Sequence, residues 1–442
     1  MNLRQAMSRF QNTIYARAVR HGLTLAIPFL IMGSFALLLT NFPLGVYQDF
    51  IRTWMNGAAS AILETLYQIS LGSLALVLTV TISISYGHLT ETDQLFLYPI
   101  VAVCSYLAFC GGIENQSDYI FNAEWVFTAM VITLLSCVLF HKILKLGHRF
   151  ERLHTTGADY LFNISIQCLI PVILVSLFFA VTGYVLRVAW DSSNITNFGS
   201  YLFLKLFDKI SGNLFGILLY VVMTHLLWFM GIHGTNTLEA VSRHLFEQNV
   251  EINQSLVLAG HIPTEIFSKT FLDTFVFIGG CGTALSFVLA LYIASKQSHN
   301  RKMSFVALPS ALFNISEIAV FGFPIIFNLT MLIPFILTPV ILTLISASAI
   351  KAGLVPAVTQ SVEWTIPVLL SGYQATGSVS GSLLQLFNLL VGVFIYMPFV
   401  RRSEKQETGK FKQAVRQMFK IPQQSVLYAR PPDLLGSIPQ PS

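Results

Sequence analysis

Charge is what this sequence has least of. Only 11% of its 442 residues are Asp, Glu, Lys or Arg, where a soluble globular domain carries roughly a quarter. Cysteine is scarce as well. Cys104, Cys110, Cys137, Cys168 and Cys281 all fall in apolar runs, with no CxxC spacing and no partnering His. They are therefore expected to be packing residues and not redox or metal centres. The weak alternation of a transmembrane barrel is missing. So is a small-residue cleavage site after the first apolar run, about 22–40, which is read as a retained helix and not a signal peptide. No metal, no cofactor and no nucleic-acid partner is expected.

What the chain has in abundance is apolar surface: 54% hydrophobic residues, 36 of them Phe, and a mean hydropathy of +0.67. Several runs reach the roughly 17–25 residues that span a bilayer core. The fold class is an all-α polytopic membrane protein. Crossings are expected at about 22–40, 67–86, 95–110, 123–140, 166–186, 213–231, 272–294, 329–349 and 381–400.

The segment 1–21 carries Arg4, Arg9, Arg17 and Arg20 and no acid, and reads as an amphipathic helix on the cytoplasmic leaflet. The connector 141–154 is basic, whereas 111–122 holds Glu114 and Asp118 without Lys or Arg. The positive-inside bias puts the first in the cytoplasm and the second outside. The links 296–302 and 401–410 are also basic, so the number of crossings must be even. Nine clear runs fail that parity, and the missing crossing is expected within 231–270. The count is then about ten transmembrane helices with re-entrant hairpins, in a membrane domain covering 22–400. Residues 401–442 are basic and then Pro-rich; they read either as a disordered cytoplasmic tail or as a linker.

Three polar interruptions stand inside apolar sequence. The first is Gly231-Ile232-His233-Gly234-Thr235-Asn236. Non-helical backbone at membrane depth is tolerated only where protein buries it or a wet cavity adjoins it, although a lone His at a helix end also serves structurally. The second is Leu308-Pro309-Ser310-Ala311-Leu312-Phe313-Asn314-Ile315-Ser316-Glu317, followed by Phe321-Gly322-Phe323-Pro324 and Asn328. An intramembrane carboxylate is expensive and marks function by default. The third is Glu363-Trp364-Thr365-Ile366-Pro367, then Ser371-Gly372-Tyr373. Trp364 offers a plate that suits a sugar ring, but Trp is also a routine interfacial anchor. An imidazole, a carboxylate, amides and an aromatic plate suit a ligand of many hydroxyls better than an inorganic ion.

From about Tyr15 to Val400 the chain resembles the enzyme IIC membrane subunits of the bacterial phosphotransferase system, in the lactose, cellobiose and diacetylchitobiose group. The stretches that carry the resemblance are Ala16 to Gly22 leading to Asn41-Phe42-Pro43, Ile69 to Ala75, Trp228 to Asn236, Phe271 to Phe275 with Gly279-Gly280-Cys281-Gly282, and Leu312 to Asn328. The resemblance implies a ten-helix homodimeric permease in the inner membrane, N- and C-termini cytoplasmic, with two re-entrant hairpins. His233 and Glu317 would grip the sugar near the midplane, Glu317 beside the 6-hydroxyl that becomes phosphorylated. Trp364 would pack against a ring, and Gly234, Asn236 and Asn314 would complete the site. The phosphoryl group would come from a cysteine of a IIB partner charged by IIA. No Cys here lies outside an apolar run, so this chain is not expected to supply that step.

Three departures stand out. The family usually has Asn-Glu-Pro where this chain has Ser316-Glu317-Ile318, Asn-Pro where it has Asn328-Leu329, and Pro where Glu363 stands. Proline deletes an N–H and fixes φ, so its loss would allow helix to run through breaks that shape the site. The leading reading is a permease for a β-linked disaccharide or chitobiose-like sugar. The alternative is a non-transporting sugar sensor on the same fold. A proton-coupled transporter would use the His and Glu pair but leaves the whole-length resemblance unexplained.

Overall fold

The computed structural model describes residues 9–418 except 43, 93, 113–117, 147–158, 190–197, 208–209, 211 and 324. The described residues form helices, turns and extended links, with no strand. Among the described residues, six helical segments are long and apolar enough to cross a membrane: Ile14–Thr40, Ala58–Leu89, Ala123–Lys145, Tyr160–Val188, Leu329–Lys351 and Val379–Gln406. Three shorter apolar helices, Leu97–Cys110, Leu214–Phe229 and Ala284–Ala294, join them.

The exposed side of the bundle is greasy. On Tyr160–Ala189 the large side chains of Leu161, Phe162, Ile173, Leu177, Phe178 and Val185 are all half or more exposed. Water would not tolerate so continuous an apolar stripe on one helix, and lipid does. The first helix, Ile14–Thr40, is capped by Thr13, whose hydroxyl accepts the Ala16 N–H at 3.3 Å. Arg17 and Arg20 lie on this same helix, which runs without a boundary at residue 21 into the first apolar span. The last helix runs from Val379 to Met418 and passes residue 400 unbroken. Glu404 fastens it there, accepting from the Ser295 hydroxyl, the Lys296 N–H at 3.1 Å and the Asn300 amide at 2.9 Å. The Pro-rich part of the tail, 419–442, lies outside the described residues, as do residues 1–8 and the acidic connector around Glu114.

Two expected crossings take other forms. The run 272–294 is not one helix: a wide π-turn at Leu272–Val276 gives way to irregular backbone, and α-helix resumes only at Ala284. The cause is local, because Gly279, Gly280 and Gly282 have φ of +80°, +93° and +72°, and Thr283 follows at +55°. A side chain at 282 would place its Cβ 2.0 Å from the Phe335 ring. Such a break survives in a membrane only if its backbone groups find partners. Amides of the last helix supply them: Gln385 donates to the Thr274 carbonyl at 2.7 Å and Asn388 to that of Phe275 at 2.9 Å.

Nor is 231–270 a straight span. Short turns lead into a helix, Gln248–Leu258, and an extended return. Asn253 pins that return by donating to the Glu265 and Val358 carbonyls and accepting the Glu265 N–H. The polar residues that made this stretch a poor span hold a hairpin together instead.

Candidate functional site

The helix Leu214–Phe229 stops because Gly231 takes φ of +85°, letting the N–H groups of Gly231 and Ile232 turn back to the carbonyls of Trp228 and Leu227. His233 follows in extended geometry and caps the single turn Gly234–Thr237. Its Nδ1 accepts from the Asn236 N–H at 3.4 Å and contacts the Thr235 hydroxyl at 3.2 Å. With Nδ1 accepting from that backbone donor, a neutral ring carries its proton on Nε2. The ring rests on the fully buried Trp228, centroids 4.3 Å apart. Gly234 allows the approach: a Cβ there would lie 2.1 Å from the Thr224 carbonyl oxygen.

The second break brings the carboxylate. Helix Ser298–Leu312 ends, Asn314 adopts a left-handed φ of +60°, and Glu317 opens the short helix Glu317–Gly322. The helix does not run on where the family's prolines are missing. Phe323 is extended, Phe327 is left-handed at φ +56°, and Asn328 caps Leu329–Lys351 by accepting the Thr330 N–H at 3.0 Å. The Phe327 N–H also donates to the Phe229 carbonyl at 3.0 Å, tying this break to the one that precedes His233.

Together the breaks set His233 Nε2 3.6 Å from Glu317 Oε1. That is too far for a direct hydrogen bond. A hydroxyl oxygen set to one side of the pair, about 2.8 Å from each atom, can instead accept from Nε2–H and donate to the carboxylate. The two side chains are 10% and 14% exposed and open into a cavity of about 480 Å³. Asn236, Asn314 and Trp364 line the same cavity; Gly234 packs behind it. Trp364 is 39% exposed, an accessible plate. The amide of Asn314 is engaged by backbone at both ends, accepting the Gly279 N–H at 2.6 Å and donating to the carbonyls of Trp364 and Ile366 at 2.6 and 3.2 Å. It therefore ties the glycine turn to the Trp364 loop.

A model of the family described as "Phosphotransferase system, EIIC" matches residues 20–339. The chain belongs to that family. It is similar to the lichenan permease IIC component of Bacillus subtilis (strain 168), 28% identical over 410 residues that cover 89% of this chain and 90% of the relative. It is also similar to the cellobiose-specific EIIC component of Geobacillus stearothermophilus, at 26% identity over 90% of this chain and 91% of the relative. The lactose-specific EIICB component of Staphylococcus aureus (strain N315) matches at 23% identity, over 89% of this chain and 69% of the relative. Among solved structures, the transporter ChbC, the IIC component of an N,N'-diacetylchitobiose-specific phosphotransferase system, shares the fold. It has a TM-score of 0.50 and 24% identity, covering 93% of this chain and 98% of that one.

This EIIC chain is thus a multi-pass membrane protein, a sugar permease component that works with IIA and IIB partners. Its cavity holds more ionisable groups than sequence reading proposed. Glu124, Glu239, Lys269 and Asp273 all line it, as does Tyr67. Lys269 pairs with Asp273 at 2.8 Å, and Glu239 with Arg243 at 3.1 Å. Lys269 and Asp273 carried a signal, since an i,i+4 ion pair inside the apolar stretch Phe267 to Phe275 is costly without a task. Glu124 carried none, because it reaches the cavity from the first turn of the segment Ala123–Lys145, more than a hundred residues before His233. Of the cysteines only Cys281 lines the cavity; Cys104 is exposed on its helix, and Cys110, Cys137 and Cys168 are buried.

Proposed function

We propose that this EIIC chain translocates a β-linked disaccharide of the cellobiose or N,N'-diacetylchitobiose type and presents its 6-hydroxyl for phosphorylation by a IIB partner. The observation that carries the reading is the 3.6 Å gap between His233 and Glu317 at the wall of a 480 Å³ cavity. That volume falls within the roughly 300–1,000 Å³ of small-molecule sites. The names of the relatives, which include lichenan, cellobiose and lactose components, favour β-linked sugars.

In this reading the 6-hydroxyl donates to Glu317 and accepts from His233. As the sugar oxygen attacks phosphorus, its O–P bond forms, the P–S bond of the IIB phosphocysteine breaks, and Glu317 takes the hydroxyl proton. His233 orients the oxygen, Asn236 offers a further hydrogen bond, and Trp364 packs against a ring. Asn314 and Gly234 hold the two breaks in position. The basic links and both termini face the cytoplasm, the chain pairs as a homodimer, and residues 22–400 form the transport domain between a surface segment and a tail. Rocking of one part of the bundle against the other would expose the site alternately.

The test is uptake by vesicles carrying the chain, with matched IIA and IIB inside, both loaded beforehand with phosphate on their phosphorylation sites, and cellobiose or N,N'-diacetylchitobiose outside. Accumulation of the 6-phosphate of at least one sugar is expected. Tight binding of these sugars with no phosphorylated product would contradict the permease reading and favour a sensor.

A further inference from the structure

The break that carries Glu317 is reached through helix Ser298–Leu312, which starts in the basic link 295–302. The end of the last span lies against that link and is joined to it by the buried carboxylate of Glu404, to which the Ser295 hydroxyl, the Lys296 N–H and the Asn300 amide all donate. The two segments form one surface. On it Lys296, Arg301, Lys302, Arg401, Arg402 and Lys405 are all exposed. Glu404 is the only acid in 295–302 and 400–406, and its oxygens turn inward to their donors. The far side of the break reaches the same surface, because Thr330, two residues beyond the Asn328 cap, donates to the Gln406 side chain at 2.9 Å.

We infer that this surface is the dock for phosphorylated IIB, received through an acidic face around its phosphocysteine; the inference rests on the reading of the chain as a permease served by IIB. Exposed cations clustered without exposed acids steer an anionic protein and raise its association rate. Basic residues at a membrane edge also attract anionic lipid, but two features favour a protein here. The cations stand on a frame fixed by Glu404, and a fixed array matches a folded partner, whereas a fluid headgroup layer needs no frame. Both ends of the stretch 298–330, with Glu317 inside it, rest on that frame, so a docked partner bears directly on the segment that holds the carboxylate. Helix Ser298–Leu312 is about 22 Å long, and none of the six cations lines the sugar cavity. A partner seated on them leaves that cavity free for the sugar.

Initial rates of sugar phosphorylation by the full chain in lipid nanodiscs, measured against the concentration of phosphorylated IIB, test this. The triple variant Lys296→Gln, Lys302→Gln, Lys405→Gln should raise the half-saturating IIB concentration about tenfold, with disaccharide affinity within about twofold of the parent's. In the parent that concentration should rise with salt, and in the variant it should rise less. The double variant Lys142→Gln, Lys145→Gln, on the other basic connector, is the control and should change it less than about twofold. An unchanged half-saturating concentration in the triple variant overturns the dock, and so does an equal rise in the control. An effect that disappears when phosphatidylcholine replaces phosphatidylglycerol in the discs overturns it too, because the cations then act through lipid. Binding of phosphorylated IIB to the purified chain in detergent, parent against triple variant, reads the surface without any sugar. Tighter binding by the parent with no sugar phosphate formed would uphold the dock and count against the permease reading alone; equal binding would overturn the dock.

Discussion

Nε2 of His225 accepts the backbone N–H of Gly282 at 2.8 Å. Its Nδ1 lies 2.6 Å from the Val221 carbonyl, so a neutral ring is satisfied at both nitrogens, with Nδ1–H donating to the carbonyl and no exposure. Two histidines eight residues apart thus have opposite duties. His225 fastens the glycine break to its neighbour helix, and His233 opens into the cavity.

The two should separate experimentally. His225→Ala strips a partner from a buried N–H, a loss of about 1–3 kcal/mol, and should lower the thermal midpoint in detergent. His233→Ala, which removes only a long cap bond at the cavity wall, should lower that midpoint less than His225→Ala does and weaken disaccharide binding about tenfold. Paired measurements of melting and binding on both variants check this; equal effects on both readouts would remove the distinction.

Asn314 should behave as a brace. Asn314→Ala forfeits the bonds to Gly279, Trp364 and Ile366 and puts a Cβ-bearing residue without a polar group at φ +60°, a conformation costing about 1–2 kcal/mol. Asn314→Gly loses the same bonds but not the conformational freedom. The expected order of thermal midpoints is parent, then Gly, then Ala, with sugar affinity falling in the same order. Loss of affinity with unchanged midpoints would instead make Asn314 a direct sugar contact.

The missing prolines give a third test. Leu329 is the first residue of its helix, directly after the Asn328 cap, a position proline accepts readily. Because the break before it already exists, Leu329→Pro should leave uptake within about twofold of the parent, a change too small to signal a rebuilt site. A large gain in uptake would show that the parent's hairpin is closed by helix and would revive the sensor alternative.

Orientation is checked by cysteine labelling in a background cleared of native cysteines. Single cysteines near Lys145 and Arg301 should be shielded from an impermeant thiol reagent on intact cells, and one near Glu114 should react, as the distribution of basic residues requires. Labelling at 145 would reverse the topology.

Much of this protein could be read in its sequence because the membrane makes exceptions conspicuous. Gly231 and Gly234 around His233, and Glu317 within an apolar run, stood out against their surroundings and line or shape one cavity. The substituted positions Ile318 and Leu329 misdirected the reading, because the breaks there rest on the left-handed backbone of Asn314 and Phe327; Asn favours that conformation, but nothing about a Phe announces it. The same limit hid the broken form of 272–294. Its glycines were visible, but the partners that stabilise the break, Gln385 and Asn388, lie more than a hundred residues away. His225 was invisible for a related reason: a buried histidine reads as structural or functional only once its two partners are known.

If Glu317 receives the sugar hydroxyl that is phosphorylated, Glu317→Gln must stop the transfer. Gln keeps the size of the side chain but cannot take a proton. Formation of sugar 6-phosphate should be measured in vesicles with matched, phosphorylated IIA and IIB, for the parent and the variant at equal levels of folded protein. A loss of about 100-fold or more is expected, the scale of removing a general base, with disaccharide binding still detectable. Phosphorylation by Glu317→Gln at the parent's rate would contradict it.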